Sequence, residues 1–338
     1  MLPCEIESSG KHILRFEEWK WYIDQLHEMN TPTLTFTGGE CLVHPDFEKI
    51  YSYSYDLGFG IVLLTNGTCI TEKLFDLFCN KPPDNFSITV YGNSPETYEK
   101  LCGDRDGYQR VYANINKLLE HNFNLLIKYT ITSENIVDLY DTYQYFKSKG
   151  IQLRYQESLI VFKKANPDTI SQMTVDEDLF RNIEILINGD AFQHEDDELD
   201  RSFVNIMRQS KKILKKGIRC SAGRCICHIR WDGIMTPCVT FEDFLVDPRK
   251  VGMKSAWAQM NKWADNYLGL DECDRCPHQL RCHQCAALHY NDVGISGKPS
   301  PRLCWKHNHL EEAKIVEERL IRKGLVTSEE IYGSSCKD

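Results

Sequence analysis

Residues 36–47 read Phe36-Thr37-Gly38-Gly39-Glu40-Cys41-Leu42-Val43-His44-Pro45-Asp46-Phe47. The run Thr33–Thr37 is short and rich in strand formers, and it stops at two glycines and an acid. Pro45 then stands at a first-turn position; Phe47, Ile50, Tyr51 and Leu57 follow at roughly helical spacing, and Gly58 supplies the stop. The stretch therefore predicts strand, turn, helix. A Gly-Gly pair lets a ligand approach the backbone because no Cβ is in the way. Glu40 could then take a cationic group, such as an amino group. Taken alone, the two glycines are equally consistent with a plain turn.

The same grammar repeats outward along the chain. Gly60–Thr65, Asn85–Tyr91, Phe123–Thr132 and Ile151–Tyr155 read as short apolar strands, with helical patterns between them. Ser94-Pro95 opens a helix. Ile136, Leu139, Tyr140, Tyr143 and Phe146 line one face of another, which ends at Gly150, and Thr174 with Glu177 forms a capping box for the next. Strands alternating with helices predict a parallel sheet or a β/α barrel. The polar ends Thr37-Gly38-Gly39-Glu40, Thr65-Asn66-Gly67 and Tyr91-Gly92-Asn93 then fall on one rim, where such barrels build their sites. Toward the N-terminus, Trp19, Ile23, Leu26 and Met29 share one face of a helix near Phe16–Met29, and no strand pattern precedes it. The expected α/β fold is thus a partial (β/α)6 TIM-like barrel lacking its first strand, over residues 1–190.

The 338-residue length suits roughly two domains. No stretch reaches the roughly 18–20 apolar residues a membrane span needs, and Met1-Leu-Pro-Cys-Glu-Ile-Glu has no signal-peptide pattern. A cytoplasmic protein is expected. The net charge of −9, with no basic run interleaved with aromatics, argues against a nucleic-acid partner. Glu195-Asp-Asp-Glu-Leu-Asp200 reads as a solvated linker, and residues 191–215 as a linker or bridging helix.

There are fifteen cysteines, and nine of them lie from Cys220 to Cys304. An odd number without an export signal disfavours a disulfide framework, and clustered thiols in a reducing compartment usually hold metal. Cys220, Cys225, Cys227 and Cys238 come first, followed by Cys273, Cys276, Cys282 and Cys285, then Cys304. Nine thiolates suffice for two four-cysteine sites with one left over. By spacing alone, iron–sulfur and zinc stand equal, because both use Cys4 sites. Cys41, Cys69, Cys79, Cys102 and Cys336 read as small hydrophobes. Cys4 is ambiguous. Residues 216–310 are assigned to this cysteine-rich unit and 311–338 to a C-terminal helix and tail.

Both halves together resemble radical S-adenosylmethionine (SAM) enzymes that carry a C-terminal SPASM-type iron–sulfur domain. The Phe36–Phe47 stretch is similar to their SAM-binding strand end, and Leu64-Thr65-Asn66-Gly67 and Ile88-Thr89-Val90-Tyr91-Gly92 to their next two. Gly233–Cys238 as G-x4-C and Cys273–Cys282 as C-x2-C-x5-C resemble the SPASM pattern, which favours iron over zinc. The resemblance spans about residues 15–310. It implies that Gly38, Gly39 and Glu40 hold the SAM amino group, and that Asn66, Ser87, Thr89 and Lys128 contact its ribose and carboxylate. It implies one auxiliary [4Fe-4S] cluster on Cys220, Cys225 or Cys227, Cys238 and Cys285, and a second on Cys273, Cys276, Cys282 and Cys304. It further implies an oxidoreductase or maturase acting on a peptide or protein substrate, reduced by a flavodoxin or ferredoxin. Such enzymes carry a C-x3-C-x2-C loop after the first strand, whose cluster cleaves SAM to a 5′-deoxyadenosyl radical. These 338 residues contain no such motif. As written the chain would lack its radical initiator, and the absent strand and absent loop fall at one place, as a lost N-terminus would produce. Two other readings remain on the residues: a non-catalytic iron–sulfur protein that binds a peptide or transfers electrons, and a zinc-stabilised binding module.

Overall fold

The computed structural model describes residues 12–156, 220–241, 243–267, 285–293 and 318–329, with the single positions 175, 179, 182, 183, 186, 187, 201, 204, 300 and 304. The first unit opens with helix α1 (Phe16–Glu28). Strand β1 (Thr33–Phe36) follows, then α2 (Phe47–Asp56), β2 (Gly60–Thr65), α3 (Glu72–Asn80) and β3 (Asn85–Val90). Two helices come next, α4 (Pro95–Cys102) and α5 (Gly107–Glu120), before β4 (Leu125–Thr130), α6 (Leu139–Ser148) and β5 (Gln152–Gln156). The sheet order is β1-β2-β3-β4-β5, and every neighbouring pair is parallel. Strands laid down in sequence order, each joined by a right-handed helical crossover, put all helices on one face. This is the singly wound arrangement of a TIM-like β/α fold, in agreement with the alternation of strands and helices in the sequence.

Parity along the strands explains the two faces. Ile61, Leu63, Phe86, Ile88, Val90, Ile127 and Tyr129 point one way and are buried against Phe47, Tyr51, Phe75, Phe78, Val111, Ile115, Leu118 and Phe146 of the helices. The intervening residues, Thr35, Ser87, Thr89, Lys128 and Arg154 among them, point to the other, open face. Only one face of this sheet is thus apolar throughout.

Element ends follow local chemistry. Ser94 caps α4 by accepting from the Thr97 amide at 3.2 Å, with Pro95 in the first turn. Pro45 does not open α2: the helix begins at Phe47, because the Asp46 amide is bonded to His44 Nδ1 at 3.1 Å and holds Pro45 in the preceding turn. The face expected from Ile136 onward is split into a single 3-10 turn, Ile136–Asp138, and α6. Phe123 and Thr132 lie outside β4, whose pairing ends at Thr130. Among the described residues no strand precedes α1. The Thr174–Glu177 capping box and the 191–215 linker lie outside the described residues, apart from Val175, Arg201 and Val204.

The second unit contains a two-stranded antiparallel ribbon, β6 (His228–Ile229) and β7 (Met235–Thr236). Helices α7 (Met253–Asn266) and α8 (Ala286–Val293) pack beside it. It joins the first unit through α1: Tyr22 and Leu14 are buried with Met235, Val246, Met253 and Met260. The Leu14 amide also donates to the Trp231 carbonyl at 3.2 Å. Of the C-terminal tail, residues 318–322 are helical. No helix of the described residues is long and apolar enough to cross a membrane.

Candidate active site

Glu40 closes the first strand end and is buried. Its carboxylate accepts from Thr65 Oγ1 at 2.9 Å on both oxygens, from the Asn66 amide at 2.8 Å and from the Leu42 amide at 3.1 Å. A carboxylate offers about four acceptor positions, and these three donors occupy most of them. Glu40 therefore ties the β1 end to the β2 end and caps the 3-10 turn Cys41–Val43. Thr65 Oγ1 in turn accepts from the Gly67 amide at 3.0 Å, and Asn66 Oδ1 accepts from the Thr68 amide at 2.9 Å. The loop after β2 is thereby wound tightly around one buried acid. Gly38 lies before it at φ +141°, and no atom stands within 4 Å of where its Cβ would be. That conformation needs glycine, and it leaves open space in front of the backbone.

The next strand ends are held by Asn135 and Tyr112, and by Asp138, whose carboxylate accepts from the Asn93 amide at 2.9 Å. Asn135 Nδ2 donates to the Tyr91 carbonyl at 2.9 Å and the Thr130 carbonyl at 3.0 Å, while Tyr112 donates to the Gly92 carbonyl at 2.9 Å. The rim behind the site is thus built from satisfied backbone groups.

The open face carries the remaining expected residues. Thr89 pairs in register with Lys128, and Lys128 with Arg154. Asn66 follows Thr65, which pairs with Ile88, so it lies at the same height as Thr89. Ser87 stands on the same face one row lower, paired with Leu126. Its hydroxyl is buried and has no hydrogen-bond partner among the described residues. Lys128 is half-buried: burial lowers the pKa of its ammonium, and the Arg154 guanidinium pushes it the same way. Ser87, Thr89 and Lys128 thus lie on one face of the sheet, with Asn66 at the β2 end beside them. Arg154 and Thr65 were not anticipated from the sequence. The alternation Gln152, Arg154, Gln156 within an otherwise apolar run was the available signal for Arg154.

The cysteines separate into groups. Cys238 and Cys285 pack around Ala222, Phe241, Ala264 and Ala287. Burial pushes the Cys285 thiol up, the Leu288 and Ala287 amides oppose this, and the nearby Cys238 and Cys220 sulfurs raise it further. Cys220, at the first turn, Cys238, after β7, and Cys285, before α8, are thus close enough to influence one another electrostatically. Cys225 is exposed at the same turn. Cys227 packs elsewhere, with Tyr22 and Met235, and burial pushes its thiol up to about 11. Among the described residues no three His, Cys, Asp or Glu side chains are set to hold a single metal ion. Cys304 is described and half-buried; Cys4, Cys273, Cys276 and Cys282 lie outside the described residues. Cys41 is buried with its thiol donating toward the Leu64 carbonyl at 3.5 Å, while Cys79 and Cys102 are exposed on helices.

Comparison with known proteins gives three findings. Residues 6–146 match the radical SAM superfamily. An AdoMet-dependent heme synthase of Methanosarcina barkeri is 23% identical over 305 residues, covering 83% of this chain and 84% of the relative. The fold matches the structure of a histidine-tagged anSMEcpe with bound AdoMet at a TM-score of 0.66 and 17% identity, covering 94% of this chain and 88% of that one. It matches native anSMEcpe with bound AdoMet and the Cp18Cys peptide equally well, at 0.66 and 16% identity, covering 93% and 92%.

Proposed function

Because residues 6–146 match the radical SAM superfamily, we propose that this protein is a SAM- and [4Fe-4S]-dependent enzyme that modifies a peptide or protein side chain. The observation that carries the reading is the open face itself. A buried Ser87 hydroxyl without a partner among the described residues and a half-buried Lys128 stand on one face, and the backbone at Gly38 is open. A buried polar group left unpaired costs free energy, which a bound ligand would recover. These groups fit SAM.

The amino group of SAM would lie against the backbone at Gly38-Gly39, with Glu40 acting behind it as the brace between strand ends. Asn66, Ser87, Thr89 and Lys128 would supply donors for ribose and carboxylate. When bound, SAM and its cluster supply the radical chemistry, which no side chain can perform. The chain's own task is to orient SAM and substrate and to exclude water.

In the second unit, Cys220, Cys225, Cys238 and Cys285 would ligate one SPASM-type auxiliary cluster, and Cys273, Cys276, Cys282 and Cys304 another. The packing of Cys227 against Tyr22 favours Cys225 as the fourth ligand of the first. The proposed division is 1–190 for the barrel, 191–215 for the link, 216–310 for the cluster unit and 311–338 for the tail. The partners would be a peptide substrate and a reducing flavodoxin or ferredoxin, in the cytoplasm. A second reading, chemistry on a tetrapyrrole, is favoured by the extent of the heme synthase match.

The test is release of 5′-deoxyadenosine from SAM and dithionite by anaerobically reconstituted protein. These residues hold no C-x3-C-x2-C, so the 338-residue chain should release none. A version with a strand and such a loop joined ahead of α1 should release it. If the 338-residue chain releases the product and Cys4→Ala abolishes it, Cys4 belongs to an unusual cluster. If the extended version binds no SAM, the radical SAM reading fails.

A further inference from the structure

Lys128 and Arg154 are register partners across β4 and β5, so their side chains leave the open face side by side. Strands in a sheet lie about 4.8 Å apart, and like charges directly opposite each other are destabilising. This pair also carries a desolvation cost, because Lys128 is half-buried. Yet among the described residues neither side chain has an acidic partner, in a chain whose net charge is −9. Acids outnumber bases by 49 to 40, and they neutralise other surface cations here, such as Lys20 with Asp24 and Arg15 with Asp46. Two adjacent cations without an acidic partner among the described residues, on a face that also carries Val62, Ser87, Thr89, Leu126 and Gln152, make a site for an anion.

The chemistry of that anion follows from the donors. The guanidinium of Arg154 is a planar fork that matches a carboxylate bidentately, and Lys128 beside it adds a point charge. The Thr89 hydroxyl stands in the same row, next to Lys128. We propose that Arg154, with the charge of Lys128 beside it, forms a carboxylate-binding site on the open face of the sheet, which takes an acidic group of the substrate, while Lys128 keeps its contact to SAM. The proposal rests on the SAM reading above for the identity of that face as the reaction surface. It adds that Arg154, on the strand farthest from the Gly-Gly-Glu end, selects an acidic substrate. The carboxylate of SAM is the other source of the same chemistry.

Two probes separate these sources. The reconstituted chain is dialysed at low salt against tricarballylate, against its uncharged triamide, against inorganic phosphate and against SAM. The wild type should bind tricarballylate at least tenfold more tightly than the triamide or phosphate. Arg154→Gln should abolish that preference, Arg154→Lys should restore part of it, and SAM affinity should stay unchanged in both. Gly38→Val should weaken SAM and leave tricarballylate untouched, which distinguishes failure of the SAM reading from failure of this site. Equal binding of tricarballylate and triamide, or a preference that survives Arg154→Gln, overturns the proposal. So does tighter binding of phosphate. A parallel loss of SAM and tricarballylate in Arg154→Gln would assign the pair to the SAM carboxylate and overturn it as a substrate site.

Discussion

Tyr22, on the first helix, donates its hydroxyl hydrogen to the Gly233 carbonyl at 2.9 Å, joining residues 211 positions apart. Gly233 sits at φ +84°, and a Cβ there would collide with the Tyr22 hydroxyl and approach Arg249 Cζ to 3.0 Å. The glycine is required both by its backbone and by its neighbour. Gly233→Ala should therefore destabilise the protein by about 2–4 kcal/mol, combining left-handed strain with overpacking. Tyr22→Phe loses one buried hydrogen bond and should cost about 1–2 kcal/mol. Denaturant unfolding of both variants checks the order; a harmless Gly233→Ala would refute the docking role of this contact.

Glu40 makes a second prediction. Glu40→Ala strands the Thr65 hydroxyl and the Asn66 and Leu42 amides, and should cost about 2–4 kcal/mol of stability. Thr65→Val, which removes one of these donors, should cost less. SAM binding should fall in both variants because the β2 loop loses its anchor. Weakened SAM binding in Glu40→Ala with undiminished stability would instead mean that the carboxylate meets the ligand directly.

The cysteine groups make a third. Iron and acid-labile sulfide should reach about eight each per reconstituted chain, from two four-iron sites. Cys238→Ala or Cys285→Ala should lower this by about half. Cys227→Ala, at a position packed with Tyr22 and Met235, should keep the full content. Stoichiometric zinc without sulfide would decide for a zinc module.

Alkaline pH supplies a fourth. Burial pushes the Tyr22 and Tyr267 hydroxyls up to about 12, and it raises those of Tyr51, Tyr98, Tyr112 and Tyr129 as well. A hydroxyl whose folded pKa exceeds its unfolded value, about 10, contributes stability that is complete below that value. It is lost as pH rises through the folded pKa. Stability should therefore fall between about pH 10 and pH 12. The tyrosinate absorbance of these six residues should appear with unfolding rather than before it. Tyr22→Phe should make the decline shallower.

Much of the fold was legible in the residues. β2 and β3 are buried strands bounded by Gly60, Asn66-Gly67 and Tyr91-Gly92, so apolar runs and turn residues mark them without any tertiary information. Ser94-Pro95 marked the start of α4 because capping is a local matter between residues three apart. The Gly38-Gly39-Glu40 end was visible for the same reason. Pro45 misled, since the competing His44–Asp46 bond that delays α2 depends on His44 being held by the Leu14 carbonyl at 3.0 Å.

What local patterns cannot carry is register and partnership. Asn66, Thr89, Lys128 and Arg154 become neighbours only when four strands align, and a one-residue slip would send each side chain to the opposite face. That Thr65 and Asn66 meet the Glu40 carboxylate was likewise decided by folding, which brings the β1 and β2 ends together. Cys225 and Cys227 are equivalent as letters two apart; packing sends Cys227 toward Tyr22 and leaves Cys225 on the exposed turn. Sequence by itself determined which segments are strands and helices, because propensity, periodicity and caps act over a few residues. Which side chains share a site was decided by the tertiary structure, because that depends on contacts among residues tens to hundreds of positions apart.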